Sequence, residues 1–120
     1  MGRAGVCRGR MTQGDRPDWN PLLDVVGEEV TGDFMWMFEV ELTNGTSLQA
    51  YKHIDTRRYV HLDPDGAAFV FEPPDRYRRF PLADVLAGVF AGLPRLAGVT
   101  GEQVSRSWAV LDRLESPPAA

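Results

Sequence analysis

Phe34–Leu42 (FMWMFEVEL), Asn44-Gly45, Ser47–Ile54 (SLQAYKHI), Tyr59–Asp63 (YVHLD), Pro64-Asp65-Gly66 and Ala67–Glu72 (AAFVFE) follow one another and decide how this chain is read. Each run is strand-like in length and rich in β-branched and aromatic residues, and each break carries turn chemistry. Asn-Gly supplies two positive-φ residues for a two-residue hairpin turn. Pro-Asp-Gly suits a type I turn closed by a glycine bulge. The reading is an antiparallel meander.

Turn geometry sets register. A two-residue turn at Asn44-Gly45 sets Thr43 opposite Thr46 and Phe38 opposite Tyr51. Strand alternation then places Phe34, Trp36, Phe38, Val40 and Leu42 on one face with Tyr51 and His53. Lys52 falls on the other face near Glu39, as a structural partner for it. The bulged turn pairs Asp63 with Ala67, His61 with Phe69 and Val60 with Val70. A two-residue loop at Thr56-Arg57 joins Val60, Leu62 and Val70 to the Trp36 face, whereas a three-residue loop would invert the second hairpin.

Helices flank this sheet. Asn20-Pro21 opens a short one, with Leu22, Val26 and Val30 on one side and Gly32 as its stop. Pro73-Pro74 ends the fourth strand, and Tyr77 to Phe80 adds a short edge strand as a fifth. From Pro81 onward Leu82, Val85, Leu86, Val89, Phe90 and Leu93 keep a helical stripe. Thr100 and Gln103 form a capping box before a last helix with Val104, Trp108 and Leu111 on its stripe. The expected class is α+β: a four-stranded antiparallel meander, five with the edge strand. Two C-terminal amphipathic helices lie on one face, and a short helix precedes the sheet.

Residues 19–115 make a single domain in this reading. The Gly- and Arg-rich segment 1–18 has no hydrophobic period and reads as a disordered extension, with Met11 an alternative start. Residues 116–120 read as a disordered tail. The chain has 120 residues, 43% of them hydrophobic and 25% charged, which is ordinary globular composition. A net charge of −4 disfavours nucleic acid and anionic membranes, unless a local patch overrides it. Lys52 is the only lysine, so Arg carries nearly all positive charge; with abundant Ala, Gly and Pro this is the mark of a GC-rich, bacterial-like genome. No apolar run is long enough to span a bilayer, no secretory h-region follows the first arginines, and Cys7 has no disulfide partner. A cytoplasmic protein without membrane contact or cofactor is the simplest expectation.

His53, Asp55, Arg57, Arg58, Tyr59 and His61 crowd into nine positions. Two imidazoles and a carboxylate there suit a small hydrolase or metal-dependent enzyme, provided that His53 and His61 share a face. In the adopted register they do not. No glycine-framed nucleophile or phosphate loop accompanies them, and the balance leans against an enzyme. Arg57, Arg58, Arg76 and Arg78, with Arg79 and interleaved Tyr59 and Tyr77, suit a nucleic-acid or phosphate-ligand binder. The leading expectation is a non-catalytic interaction or regulatory module. Helices on one face of an open sheet leave Met35, Met37, Ile54, Phe69 and Phe71 on the other, to be covered by the Leu22 to Val30 segment, by self-association or by a protein partner.

Overall fold

The computed structural model describes residues 6–12 and 16–115. Six strands, β1 (Val6–Thr12), β2 (Phe34–Leu42), β3 (Ser47–His53), β4 (Tyr59–Leu62), β5 (Ala68–Glu72) and β6 (Arg76–Phe80), are hydrogen-bonded in sequence order. β1 also pairs with β6, so the sheet closes into an antiparallel barrel. Helices α1 (Asn20–Thr31), α2 (Leu82–Phe90) and α3 (Gly101–Glu115) complete an α+β fold.

The open meander is therefore wrong. The sheet has no free edge, because β1 rises from a segment read as disordered. It sets Gly9–Thr12 against Leu42–Glu39 and Val6–Arg8 against Arg78–Arg76. Arg8 and Arg10 alternate with Cys7, Gly9 and Met11. With Gly9 in the middle of that alternation the apolar signal is weak, yet backbone pairing on both sides holds the strand. β6, expected at an edge, is bonded on both sides too. Residues 1–5, 13–15 and 116–120 lie outside the described residues.

β2 also departs from its expected register. The first turn is three residues long: the Leu42 N–H bonds the Thr46 carbonyl at 2.8 Å, and the Gly45 N–H bonds the Leu42 carbonyl at 2.9 Å. Gly45 takes φ 90° there, and Asn44 Oδ1 accepts the Thr46 N–H at 2.9 Å. Val40 thus faces Leu48 and Phe38 faces Ala50. Farther along, Trp36 faces Tyr51 and Phe34 faces His53, which leaves Met37 unmatched as a β-bulge. The bulge breaks the expected five-residue face. Phe34 and Trp36 stay with Tyr51 and His53, while Phe38, Val40 and Leu42 turn to the opposite side.

Two cores result. Val40, Leu42, Leu48, Phe69 and Tyr77 fill the barrel, with Phe38, Cys7 and Ala67 against them. Outside it, Phe34, Tyr51, Val60, Leu62 and Ala68 pack under Leu22, Val26 and Val30 of α1, Leu86, Val89 and Phe90 of α2, and Val110 and Leu111 of α3. The second hairpin has the register its turn dictates. Asp63 bonds Ala67 at 3.0 Å and His61 faces Phe69. The loop between the hairpins is longer than expected, with the His53 N–H on the Arg58 carbonyl and Arg57 at φ 65°. Tyr51 consequently faces Val60, two positions from the expected match but on the same side.

α1 turns on Leu22, Val26 and Val30 as its spacing implies, and it is kinked at Gly27, where φ is 87° and ψ 168°. Arg113 Nη2 donates to the Val25 carbonyl at 2.8 Å beside the kink. That backbone region is essentially closed to any residue with a Cβ. Gly27→Ala is expected to lower unfolding free energy by about 1–3 kcal/mol although the added methyl meets nothing within 4 Å. Urea denaturation checks this; an unchanged midpoint would show that the kink straightens at no cost.

The capping box of α3 is present: Gln103 N–H bonds Thr100 Oγ1 at 3.1 Å, and Thr100 N–H bonds Gln103 Oε1 at 3.0 Å. Its buried stripe keeps Leu111, with Val104 packed against the core, but is rolled away from Trp108. Ser107, Val110 and Leu111 are buried, whereas Trp108 is exposed. Polar contacts set this roll. Arg106 grips both carboxylate oxygens of Asp33 at 2.9–3.3 Å, and Gln103 Nε2 donates to Asp55 Oδ2 at 3.2 Å.

Candidate functional site

The inward side of the barrel carries a run of rings toward one end. Phe38 and Tyr59 lie 6.1 Å apart, Tyr59 and His61 stack at 6.0 Å, His61 and Tyr77 meet at 5.3 Å, and Tyr77 and Phe71 at 5.2 Å. Strand parity builds the row. Met35 stands opposite Lys52, Lys52 opposite Tyr59, and Phe71 opposite Tyr77, whose other neighbour is Cys7. His61 and Tyr77 are sealed, but the outer members are not: Met35 is 45% exposed, Tyr59 37% and Phe71 43%. Met11 of β1, beside Val40, is 64% exposed. Large apolar side chains at one end of a filled barrel thus face solvent.

Lys52 is the charge within this surface. Its Nζ lies 5.8 Å from the Tyr59 ring centroid, and it makes no ion pair among the described residues. The expected Glu39 contact is lost because Glu39 faces Gln49 on the barrel's outside, while Lys52 belongs to the inward row. His61 has rings around it and is nearly closed to solvent. Burial brings its imidazole down to about 4.

His53 belongs to the outer core. It is 1% exposed and edge-on to Phe34 at 5.0 Å and Phe90 at 5.9 Å. Its Nδ1 accepts the backbone N–H groups of Asp55 at 3.1 Å and Thr56 at 3.3 Å. Burial lowers its pKa, opposed by the Asp33 and Asp55 charges. The two histidines thus occupy opposite sides of the sheet. Among the described residues no three His, Cys, Asp or Glu side chains group as a metal site.

The arginines are spread by the same alternation. Arg76 and Arg78 flank Tyr77 in sequence, so they point outward where Tyr77 points inward. Interleaving in a strand separates guanidinium from aromatic instead of joining them. Arg78 pairs with Glu72 at 2.8 Å and lies over Phe80 at 6.0 Å. Arg58 Nη1 donates to the Gly88 carbonyl of α2. Arg57 and Arg76 are exposed, and Asp55 is taken by Gln103.

Of the residues expected at an interface, Met35 and Phe71 lie at the barrel end. Phe69 is inside the barrel core, Met37 is the bulge, and Ile54 is exposed in the loop after β3, its N–H on the Asp33 carbonyl at 2.9 Å. Met11 and Phe38 escaped sequence reasoning. Met11 lies in a Gly- and Arg-rich segment with little apolar signal, and Phe38 shares parity with Phe34 and Trp36 until the bulge at Met37 is known.

The class defined here is a closed six-stranded antiparallel barrel with three helices. No protein-family model, curated protein or solved structure matches the chain. No helix among the described residues is long and apolar enough to cross a membrane.

Proposed function

We propose that this protein is a small non-catalytic interaction module that docks another polypeptide on the end of its barrel. The observation that carries this reading is the exposed set Met11, Met35, Tyr59 and Phe71 around an aromatic row. Methionine offers adaptable contact area, and aromatic side chains offer large contact area at low ordering cost. Lys52 gives the surface a sign opposite to the chain's net −4. A fitting partner presents an apolar side chain next to a carboxylate. The deeply buried His53 gives the module no reachable base.

A peptide-display selection tests this. Wild-type protein is expected to enrich aromatic or aliphatic residues flanked by Asp or Glu. A Tyr59→Ser/Phe71→Ser variant should bind the selected peptides at least tenfold more weakly, the loss of about 1.4 kcal/mol or more expected at hot-spot positions. Lys52→Glu should remove the preference for acidic neighbours. Equal binding by wild type and the double variant would end the proposal. Sedimentation shows whether the partner is a second copy, as a dimer that the double variant dissolves.

A further inference from the structure

Three buried side-chain atoms lack a protein partner among the described residues: His53 Nε2, Thr31 Oγ1 and Ser107 Oγ. Hydrogen bonds close by in sequence tie together the segments that carry them. Ser107 follows Arg106, which holds Asp33, and stands one helical turn past Gln103, which holds Asp55. The Ile54 N–H bonds the Asp33 carbonyl, tying the residue after His53 to the start of β2. Thr31 ends α1 two residues before Asp33. The end of α1, the β3–β4 loop and the buried side of α3 are therefore tied to one another through Asp33 and Asp55.

Their chemistry is complementary. Both contacts at His53 Nδ1 are N–H donors, so the neutral ring carries its proton on Nε2, which requires an acceptor. The two hydroxyls can each donate and accept. No direct hydrogen bond links the three groups, and buried polar atoms left unsatisfied are costly. We propose that this junction binds one internal water molecule, which accepts from His53 Nε2–H and is shared with Ser107 Oγ and Thr31 Oγ1. Three partners are typical of a structural water. The site would bridge α3 to the barrel between the Asp33–Arg106 and Asp55–Gln103 contacts.

Water–protein NOE and oxygen-17 relaxation dispersion on the wild-type protein test this directly. A long-lived internal water close to the His53 ring, with its nitrogen shifts showing the Nε2–H tautomer, is the expected result. Ser107→Ala should abolish that signal and lower Tm by a few degrees, as removal of a satisfied buried partner does. Thr31→Val provides a second variant if Ser107→Ala folds poorly. Absence of a long-lived water would overturn the proposal. So would a rise in Tm for Ser107→Ala, because deleting a truly orphaned hydroxyl relieves a penalty.

Discussion

Gly9→Val is expected to destabilise the protein by about 3 kcal/mol, the upper part of the range for forcing extra volume into a packed core. A Cβ at this position would lie 2.6 Å from Val40 Cγ1 and 2.8 Å from the Tyr77 ring. Val40 is fully buried and Tyr77 nearly so, which leaves neither an easy retreat. Gly9 also sits at the seam, opposite Leu42 and with its N–H on the Asp75 carbonyl at 2.8 Å. Displacing it pushes β1 away from both of its neighbours. Urea unfolding should show the loss. Hydrogen exchange should show the amides of β1 and β6 losing protection ahead of those in β3 and β4. If Gly9→Val keeps wild-type stability and protection, the barrel is not closed by close approach at Gly9.

The second large effect is acid destabilisation through His61. Its folded pKa, about 4, lies below the ordinary value of 6.5 because burial disfavours the imidazolium. The unfolded chain therefore takes up a proton as pH falls through 6.5, while the folded chain does not until near 4. Stability from this group is complete above 6.5 and declines as pH falls toward 4, by about 3 kcal/mol at about 1.4 kcal/mol per unit. His53, also lowered by burial, adds a loss of the same sign. Denaturation midpoints from pH 7 to pH 4 measure the slope. His61→Leu, similar in volume and without a titrating group, should flatten it. An unchanged slope in that variant would mean that His61 is solvated when the protein is folded.

Local signals were legible where a short stretch of chain settles its own geometry. Pro64-Asp65-Gly66 specified both turn and register, with Asp63 Oδ1 accepting the Asp65 and Ala67 N–H groups at 2.9 Å. Thr100 and Gln103 specified the α3 cap, and Leu22, Val26 and Val30 the buried side of α1. The candidate site was only partly visible. Met35, Tyr59 and Phe71 could be found from alternation, but grouping Phe38 and Met11 with them required the bulge and the closing strand.

By itself the sequence determined the succession of strands and helices from α1 onward, the second hairpin and the α3 cap, because turn chemistry and the two-residue pleat act over a few bonds; the opposite orientations of His53 and His61 also needed the length of the loop between the hairpins. Only tertiary structure decided that the sheet is a barrel, that β2 divides its apolar residues between two cores at Met37, and that α3 buries Ser107 instead of Trp108. Those outcomes depend on distant partners: β1 bonding β2 and β6 from the far end of the chain, and Asp33 and Asp55 setting the roll of α3. A strand with weak intrinsic pattern still forms when both neighbours offer unpaired backbone groups, and that energy is invisible to any reading confined to its own residues.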